Sequence, residues 1–294
     1  MKLADLLLIA ISSKTLNEKI KINLIVPLLK WARTDSKKHG QVAEKALELV
    51  KILIKIKMTL LNEKEAVSLF TNVINEAQNS LAYMPLVDTA GEVVAFLIKT
   101  TSDGSKIAPL LRAEYSKLFD NYLKNVEGKV PSNLVILPIA TIPKLFVNEL
   151  PMLIDAGFDE DNRIFKRTEI IGAAAAVCNK NVLRDTPVPK AVLKKVSKKI
   201  SSYFEKVLQT EKSDIKPRLF GTVLQLIVNL SLAIAEDEDL IETLKEGLES
   251  VLKKITEGEE FSKLKKLSPV CHHIIGRSVA GAFTLVKKTL DITE

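Results

Sequence analysis

The sequence has few of the residues that mark disulfide-stabilised or β-rich proteins. It contains two cysteines and eleven glycines in 294 residues, and aromatic residues make up 5% of the chain. Cys178 and Cys271 are too few and too far apart in sequence to form a disulfide framework, which favours a reducing compartment. Glycine is sparse for a β-rich protein or an α/β enzyme. We therefore expect an intracellular protein, located in the cytoplasm or the nucleus.

The chain also lacks a long apolar run. The most apolar window, residues 222–235, contains Gln225 and Asn229 and is shorter than the roughly 20 residues that a spanning helix needs. The N-terminal run that ends at Ile11 is short and contains Asp5, which indicates a first amphipathic helix rather than an export signal. The sequence therefore predicts no membrane insertion.

Helical periodicity is the main pattern that the sequence does contain. Apolar residues recur at alternating spacings of three and four, and no period-two run lies between hairpin turns. The clearest series is Val42, Ala46, Leu49, Leu53 and Ile56. Capping patterns predict helix starts at Asn62, Thr89 and Asp239. The sequence predicts an all-α fold, with 1–294 as a single continuous domain and 157–162 as the candidate subdivision.

Three apolar stretches are interrupted by a proline, at Pro27, Pro109 and Pro138. A proline inside a helix costs about 3 kcal/mol unless it lies in the first turn or kinks the helix. Glycines, prolines and polar clusters divide the chain into about fourteen helices, or roughly 42 residues per helix pair, which is in the range of HEAT and armadillo repeats. In this rhythm, and in its proline-interrupted helices, the chain resembles HEAT/armadillo-type helical repeat proteins.

The resemblance implies an α-solenoid of about seven stacked antiparallel helix pairs, whose inner helices present a binding surface. The intervals between the three prolines are unequal. An irregular helical bundle is therefore the alternative architecture.

Charge is unevenly distributed in the second half of the chain, although the net formal charge is only +7. Residues 180–218 contain eleven Lys/Arg and four Asp/Glu, whereas residues 219–260 contain three Lys/Arg and ten Asp/Glu. The two blocks could complement each other within the fold, or one of them could face a partner. The sequence does not choose between these alternatives.

A lysine-rich helix after Pro189 is the strongest candidate binding surface. Its lysines are Lys190, Lys194, Lys195, Lys198 and Lys199. They are predicted to lie on the face away from Leu193, Val196, Ile200 and Tyr203. Such a face is typical of a surface for phosphate, anionic lipid or acidic protein segments, although a solvated helix face has the same pattern. Trp31, the only tryptophan, is a second candidate contact, with core packing as its alternative.

The remaining polar clusters do not form a recognisable catalytic, cofactor or metal motif. Cys271, His272 and His273 are adjacent and point about 100° apart on a helix, so they cannot converge on one ion. The acidic run 159–161 lacks the pattern of a calcium loop, and the acidic run 236–239 precedes a helix, where negative charge is favourable. The small residues 172–176 lack the spacing of a phosphate loop and indicate close helix packing.

These patterns favour a non-enzymatic protein-binding scaffold or adaptor within a larger assembly, with no cofactor. Its expected partners are other proteins, including proteins with acidic segments. The alternative is a nucleic-acid-associated helical protein, as in ribosome or chromatin assembly, that binds the phosphate backbone through the lysine-rich helix. A helical-bundle enzyme is the third hypothesis.

Overall fold

The computed structural model describes residues 2–13, 17–36, 40–56, 62–102, 106–124, 129–258 and 261–292. Every regular element within these ranges is a helix, which confirms the all-α prediction. The chain divides into two compact units, Met1–Leu145 and Phe146–Glu294. The prediction of one continuous domain over 1–294 stays a prediction.

The first unit contains eight α-helices in its described ranges. They are α1 (Lys2–Ser12), α2 (Glu18–Asn23), α3 (Ile25–Asp35), α4 (Gly40–Leu53), α5 (Glu63–Gln78), α6 (Met84–Thr101), α7 (Pro109–Lys124) and α8 (Asn133–Thr141). A 3-10 helix, Pro143–Glu149, follows α8.

Alternate helices of the first unit form two layers. Helices α3, α5 and α7 pack side by side in one layer, and α4, α6 and α8 pack side by side in the other. Within the first layer α2–α3 and α5 run parallel, because Lys19 pairs with Glu65 at 2.6 Å and Arg33 pairs with Glu76 at 2.7 Å. Each helix of this layer also packs against the helix that follows it. This stacking of helix pairs is the predicted α-solenoid arrangement.

The three prolines have different roles in the first unit. Pro27 lies in the first turn of α3, after a break at Leu24 that separates α3 from α2, and Pro138 lies inside α8. Pro109 is the first residue of α7, where its missing backbone N–H would have no helical partner in any case. The prediction of a proline-interrupted helix at Pro109 was therefore wrong, since this proline begins a helix.

The second unit contains nine α-helices among its described residues. They are α9 (Leu150–Phe158), α10 (Ile164–Val177), α11 (Lys180–Leu183), α12 (Lys190–Gln209), α13 (Pro217–Ala233), α14 (Glu238–Glu257), α15 (Phe261–Lys265), α16 (Ser268–Ile275) and α17 (Val279–Thr289). A short 3-10 helix, Lys212–Asp214, lies between α12 and α13.

The second unit repeats the two-layer arrangement. Helices α9, α12 and α14 pack side by side in one layer, and α10, α13 and α16 pack side by side in the other. Gly172 lies where α10 meets α13, and a Cβ there would be 3.6 Å from Thr222, so the small residues of α10 are at a helix contact as predicted. Phe204 of α12 joins the layers, since its ring centroid is 6.0 Å from that of Phe220 and 5.7 Å from that of Phe283.

Within the described ranges, no single helix is both long enough and apolar enough to cross a membrane. Among the described residues, one pair of consecutive helical segments, Asn133–Thr141 and Pro143–Phe158, reaches the required length and apolar content when the two are taken together.

Candidate binding surface

The lysine-rich helix, α12, lies between α9 and α14 in one layer of the second unit. Its apolar side is buried at Leu193, Val196 and Ile200, as predicted, and Phe204 extends that side. The five candidate lysines lie away from it: Lys190, Lys194 and Lys198 are exposed, and Lys195 and Lys199 are partly buried.

Two of these lysines form ion pairs with the neighbouring helices on opposite flanks of α12. Lys190 Nζ lies 2.6 Å from Asp239 Oδ2 on α14, and Lys195 pairs with Asp155 on α9. Further along α12, Lys206 Nζ lies 2.6 Å from Glu160 Oε1 in the loop after α9. The lysines therefore divide between two flanks. Lys190 turns towards α14, whereas Lys195 and Lys206, which are about three helical turns apart, both turn towards α9 and the loop that follows it.

The basic and acidic blocks meet within the second unit. Lys180 Nζ lies 2.8 Å from Glu236 Oε1, and Lys190 contacts Asp239 as described above. The side-chain hydrogen bond from each lysine is the main cause that lowers the pKa of Glu236 and of Asp239. At these positions the two charged blocks complement each other inside the fold, which was one of the two alternatives that the sequence left open.

Three of the candidate lysines have no ion-pair partner in the part of the chain that the structure describes. They are Lys194, Lys198 and Lys199. Lys194 lines an open groove of about 430 Å³ between α12 and α14, together with the acidic side chains of Asp239, Glu242 and Glu246. The unpaired lysines are the part of the predicted basic surface that remains available to a partner.

A second open groove lies on the other flank of α12, and we call it the α9–α12 groove. It consists of two cavities of about 290 and 190 Å³ that share the side chains of Glu160, Arg167, Tyr203 and Lys206. Lys199 lines the larger cavity, and Lys216 and Asp214 line the smaller one. The groove thus brings cationic side chains from α10 and α12 together with an aromatic side chain.

Tyr203 lies at the centre of the α9–α12 groove. Its ring packs edge to face on Phe158 with centroids 6.2 Å apart, and burial is the main cause that raises the pKa of its hydroxyl. The hydroxyl therefore stays protonated at neutral pH and can donate a hydrogen bond. Arg167 is anchored beside it, since its Nε donates to the Gly157 carbonyl oxygen at 3.2 Å.

Sequence patterns did not identify Arg167, Tyr203 and Lys206 as candidate binding residues. Tyr203 was assigned to the apolar face of α12, and Glu160 was part of an acidic run that lacks the pattern of a calcium loop. These residues come together only because α9, α10 and α12 pack in register, and no local motif encodes that register.

The first unit has an open groove of its own, between α2–α3 and α5. The groove measures about 430 Å³, and its polar lining includes Asn23, Ser68 and Asn72. Trp31, the other predicted contact residue, is partly buried on α3, and its carbonyl oxygen accepts a hydrogen bond from Thr34 Oγ1 at 3.0 Å. Its role as an anchor for a partner stays a prediction.

Two of the remaining sequence candidates, Cys178 and Cys271, are buried. Burial raises the pKa of Cys178 to about 12 and of Cys271 to about 11, so both side chains are protonated thiols at neutral pH. His272 and His273 are exposed next to the buried Cys271, and the described residues contain no group of three His, Cys, Asp or Glu side chains that could hold a metal ion. Asp237 caps α14 by accepting from the Leu240 amide at 3.0 Å.

Comparison with known families gives one match over most of the chain. A family model described as "Myb-binding protein 1A-like, TPR repeats" matches residues 15–278. No curated protein and no solved structure matches the chain. The family description confirms the prediction of a helical repeat protein and assigns TPR repeats, rather than the HEAT or armadillo repeats named in that prediction.

Proposed function

The chain belongs to the Myb-binding protein 1A-like family of TPR-repeat proteins, and we propose that it is a non-enzymatic protein-binding scaffold within a larger assembly. The name of the family refers to a protein that binds another protein, which supports this function. Stacked helical repeats also provide extended surfaces on which a partner can lie. We propose an intracellular location, cytoplasmic or nuclear, where the free thiols of Cys178 and Cys271 would persist.

The observation that carries the proposal is the pair of open grooves on either side of α12. Both are lined by side chains of both charges, and each is lined by one unpaired lysine, Lys194 or Lys199. Charged side chains of both signs give a partner protein complementary contacts that fix its orientation and exclude other partners. Lys194, Lys198 and Lys199 are the contact residues that we propose.

Affinity purification tests this function. The bait is the full chain, and a variant replaces Lys194, Lys198 and Lys199 with glutamate. We expect the variant to lose a defined set of the proteins that the parent chain retains, because reversed charges repel the acidic groups of a bound partner.

A matched control variant replaces Lys30, Lys99 and Lys288 with glutamate. These lysines are exposed on α3, α6 and α17, and the variant has the same net charge as the first. It should retain the parent's set of proteins, as measured by quantitative mass spectrometry. If both variants retain that set, α12 is not the binding surface and the proposal in this form is wrong.

Nucleic-acid binding is a second candidate function, and the three unpaired lysines of α12 favour it. If each of Lys194, Lys198 and Lys199 neutralises one phosphate of duplex DNA, the affinity should fall with salt with a log–log slope of about −2.7. Replacing all three with glutamine should flatten the slope by that amount and change the free energy of unfolding by less than about 0.5 kcal/mol. Fluorescence anisotropy at several salt concentrations measures the slope. An unchanged slope would eliminate this function for α12.

A further inference from the structure

In the α9–α12 groove, one of the protein's own acidic side chains occupies the place that an acidic ligand would take. Glu160 Oε1 lies 2.6 Å from Lys206 Nζ, although more than half of each side chain is exposed. The hydrogen bond from Lys206 is the main cause that lowers the pKa of Glu160, and the charges of Lys206 and Arg167 add to it. The groove therefore stabilises the carboxylate form of a side chain that enters it.

The position of Glu160 is set by a short, hydrogen-bonded loop between α9 and α10. Asp159 Oδ1 accepts from the Asp161 amide at 3.1 Å, and Asn162 Nδ2 donates to the Ala156 carbonyl oxygen at 2.9 Å. Asp159 is thus engaged in its own loop, and Glu160 is the carboxylate that the loop directs to Lys206. An exposed pair of this kind is weak, so a carboxylate from outside can replace Glu160.

The groove contains more positively charged side chains than Glu160 alone can neutralise. Lys199 lines the same cavity as Glu160 and Arg167 and has no ion-pair partner among the residues that the structure describes. Arg167 offers a planar guanidinium, which favours carboxylate oxygens, and Tyr203 adds an aromatic wall. The groove is also open along α12, so an extended polypeptide can follow it.

We propose that the α9–α12 groove binds carboxylate side chains of an acidic segment in a partner protein. Lys199, Arg167 and Lys206 provide the opposite charge, and the incoming carboxylate displaces Glu160 from Lys206. This proposal rests on the protein-binding function proposed above. It adds that the partner segment is acidic and that Glu160 competes with this segment for Lys206.

A labelled peptide of ten glutamates tests the proposal by fluorescence anisotropy with the full chain at an ionic strength of about 0.1 M, where the Debye length is about 10 Å. Lys199→Gln should weaken binding about fivefold or more, because it removes a charge-assisted contact. Glu160→Gln should strengthen binding about two- to fivefold, because it removes the competing carboxylate. Opposite effects from two neighbouring substitutions are not expected from a general loss of structure, and circular dichroism checks that each variant keeps its helix content.

Helix α7 provides the controls. Lys117 Nζ and Glu114 Oε1 form a surface pair of the same length, 2.6 Å, and neither residue lines a groove beside α12. Lys117→Gln and Glu114→Gln make the same changes of charge as the test variants and should change the affinity less than about twofold, because salt screens a charge outside the binding site.

The proposal would be overturned by equal effects of Lys199→Gln and Lys117→Gln, by weaker binding by Glu160→Gln, or by binding only of a peptide that carries phosphoserine in place of glutamate. Absence of binding by the parent chain would also overturn it, and the affinity purification would still decide the protein-binding function separately.

Discussion

Replacing Phe204 with alanine is expected to lower the free energy of unfolding of the second unit by about 3–5 kcal/mol. Phe204 is completely buried, and its ring lies between those of Phe220 and Phe283. The substitution removes apolar contacts and edge-to-face ring contacts, and it leaves a cavity that rigid helices cannot fill. Urea denaturation followed by far-UV circular dichroism measures the change, and hydrogen exchange with mass spectrometry assigns it to peptides of the second unit.

Phe165 provides the matched control in the same unit. Its side chain is 64% exposed on α10, so Phe165→Ala should change the free energy of unfolding by less than about 0.5 kcal/mol. Fluorescence of Trp31, the only tryptophan, reports on the first unit in the same experiments. Equal effects of the two alanine substitutions would show that Phe204 does not connect the layers of the second unit.

The helices themselves follow closely from the sequence, because helical periodicity is local. The lysine-rich helix begins directly after Pro189, as predicted, and Leu193, Val196 and Ile200 are buried. The predicted apolar face included Tyr203, yet Phe204 is the residue that is fully buried and Tyr203 borders a groove. Both aromatic residues fit the apolar pattern, and only the position of the neighbouring layer distinguishes them.

Helix starts were predicted with mixed success, because a capping pattern also occurs inside helices. Asn62 caps α5 as predicted, with its Oδ1 accepting from the Lys64 amide at 2.9 Å. The start predicted at Thr89 was wrong, since Thr89 is buried inside α6 and its hydroxyl donates to the Pro85 carbonyl oxygen at 2.8 Å. At α14 the capping residue is Asp237 rather than Asp239, which instead pairs with Lys190.

The candidate binding surface could be predicted only in part, because its ion pairs join residues that are far apart in sequence. The partners of Lys190, Lys195 and Lys206 are 49, 40 and 46 residues away. Composition located the basic and acidic blocks, but the stacking register of α9, α12 and α14 decides which charges meet. That register depends on packing details such as the close approach of α12 and α14.

Replacing Gly247 with alanine tests that close approach, and we expect it to lower the free energy of unfolding by about 1–3 kcal/mol. A Cβ on Gly247 would lie 2.3 Å from Ser197 Oγ and 2.6 Å from Ser197 Cβ, and Ser197 is only 2% exposed. Because Cβ is fixed to the backbone of α12, a rotation of the Ser197 hydroxyl cannot remove the clash. The helices must separate, although alanine favours a helix over glycine by about 0.8–1.0 kcal/mol. Urea denaturation measures the loss.

A double variant distinguishes this clash from other effects of the substitution. Ser197→Gly removes both clashing atoms, and the next atom of Ser197 lies 3.7 Å from the added Cβ, which is an ordinary contact distance. Gly247→Ala should therefore cost less in the Ser197→Gly background than in the parent chain, and the difference is the coupling energy of the pair. Gly172→Ala is the control, because its Cβ would lie 3.6 Å from Thr222 and only the helix preference of alanine remains. If Gly247→Ala stabilises the chain as Gly172→Ala is expected to do, α12 and α14 do not approach at Ser197, and the groove between them has a different lining.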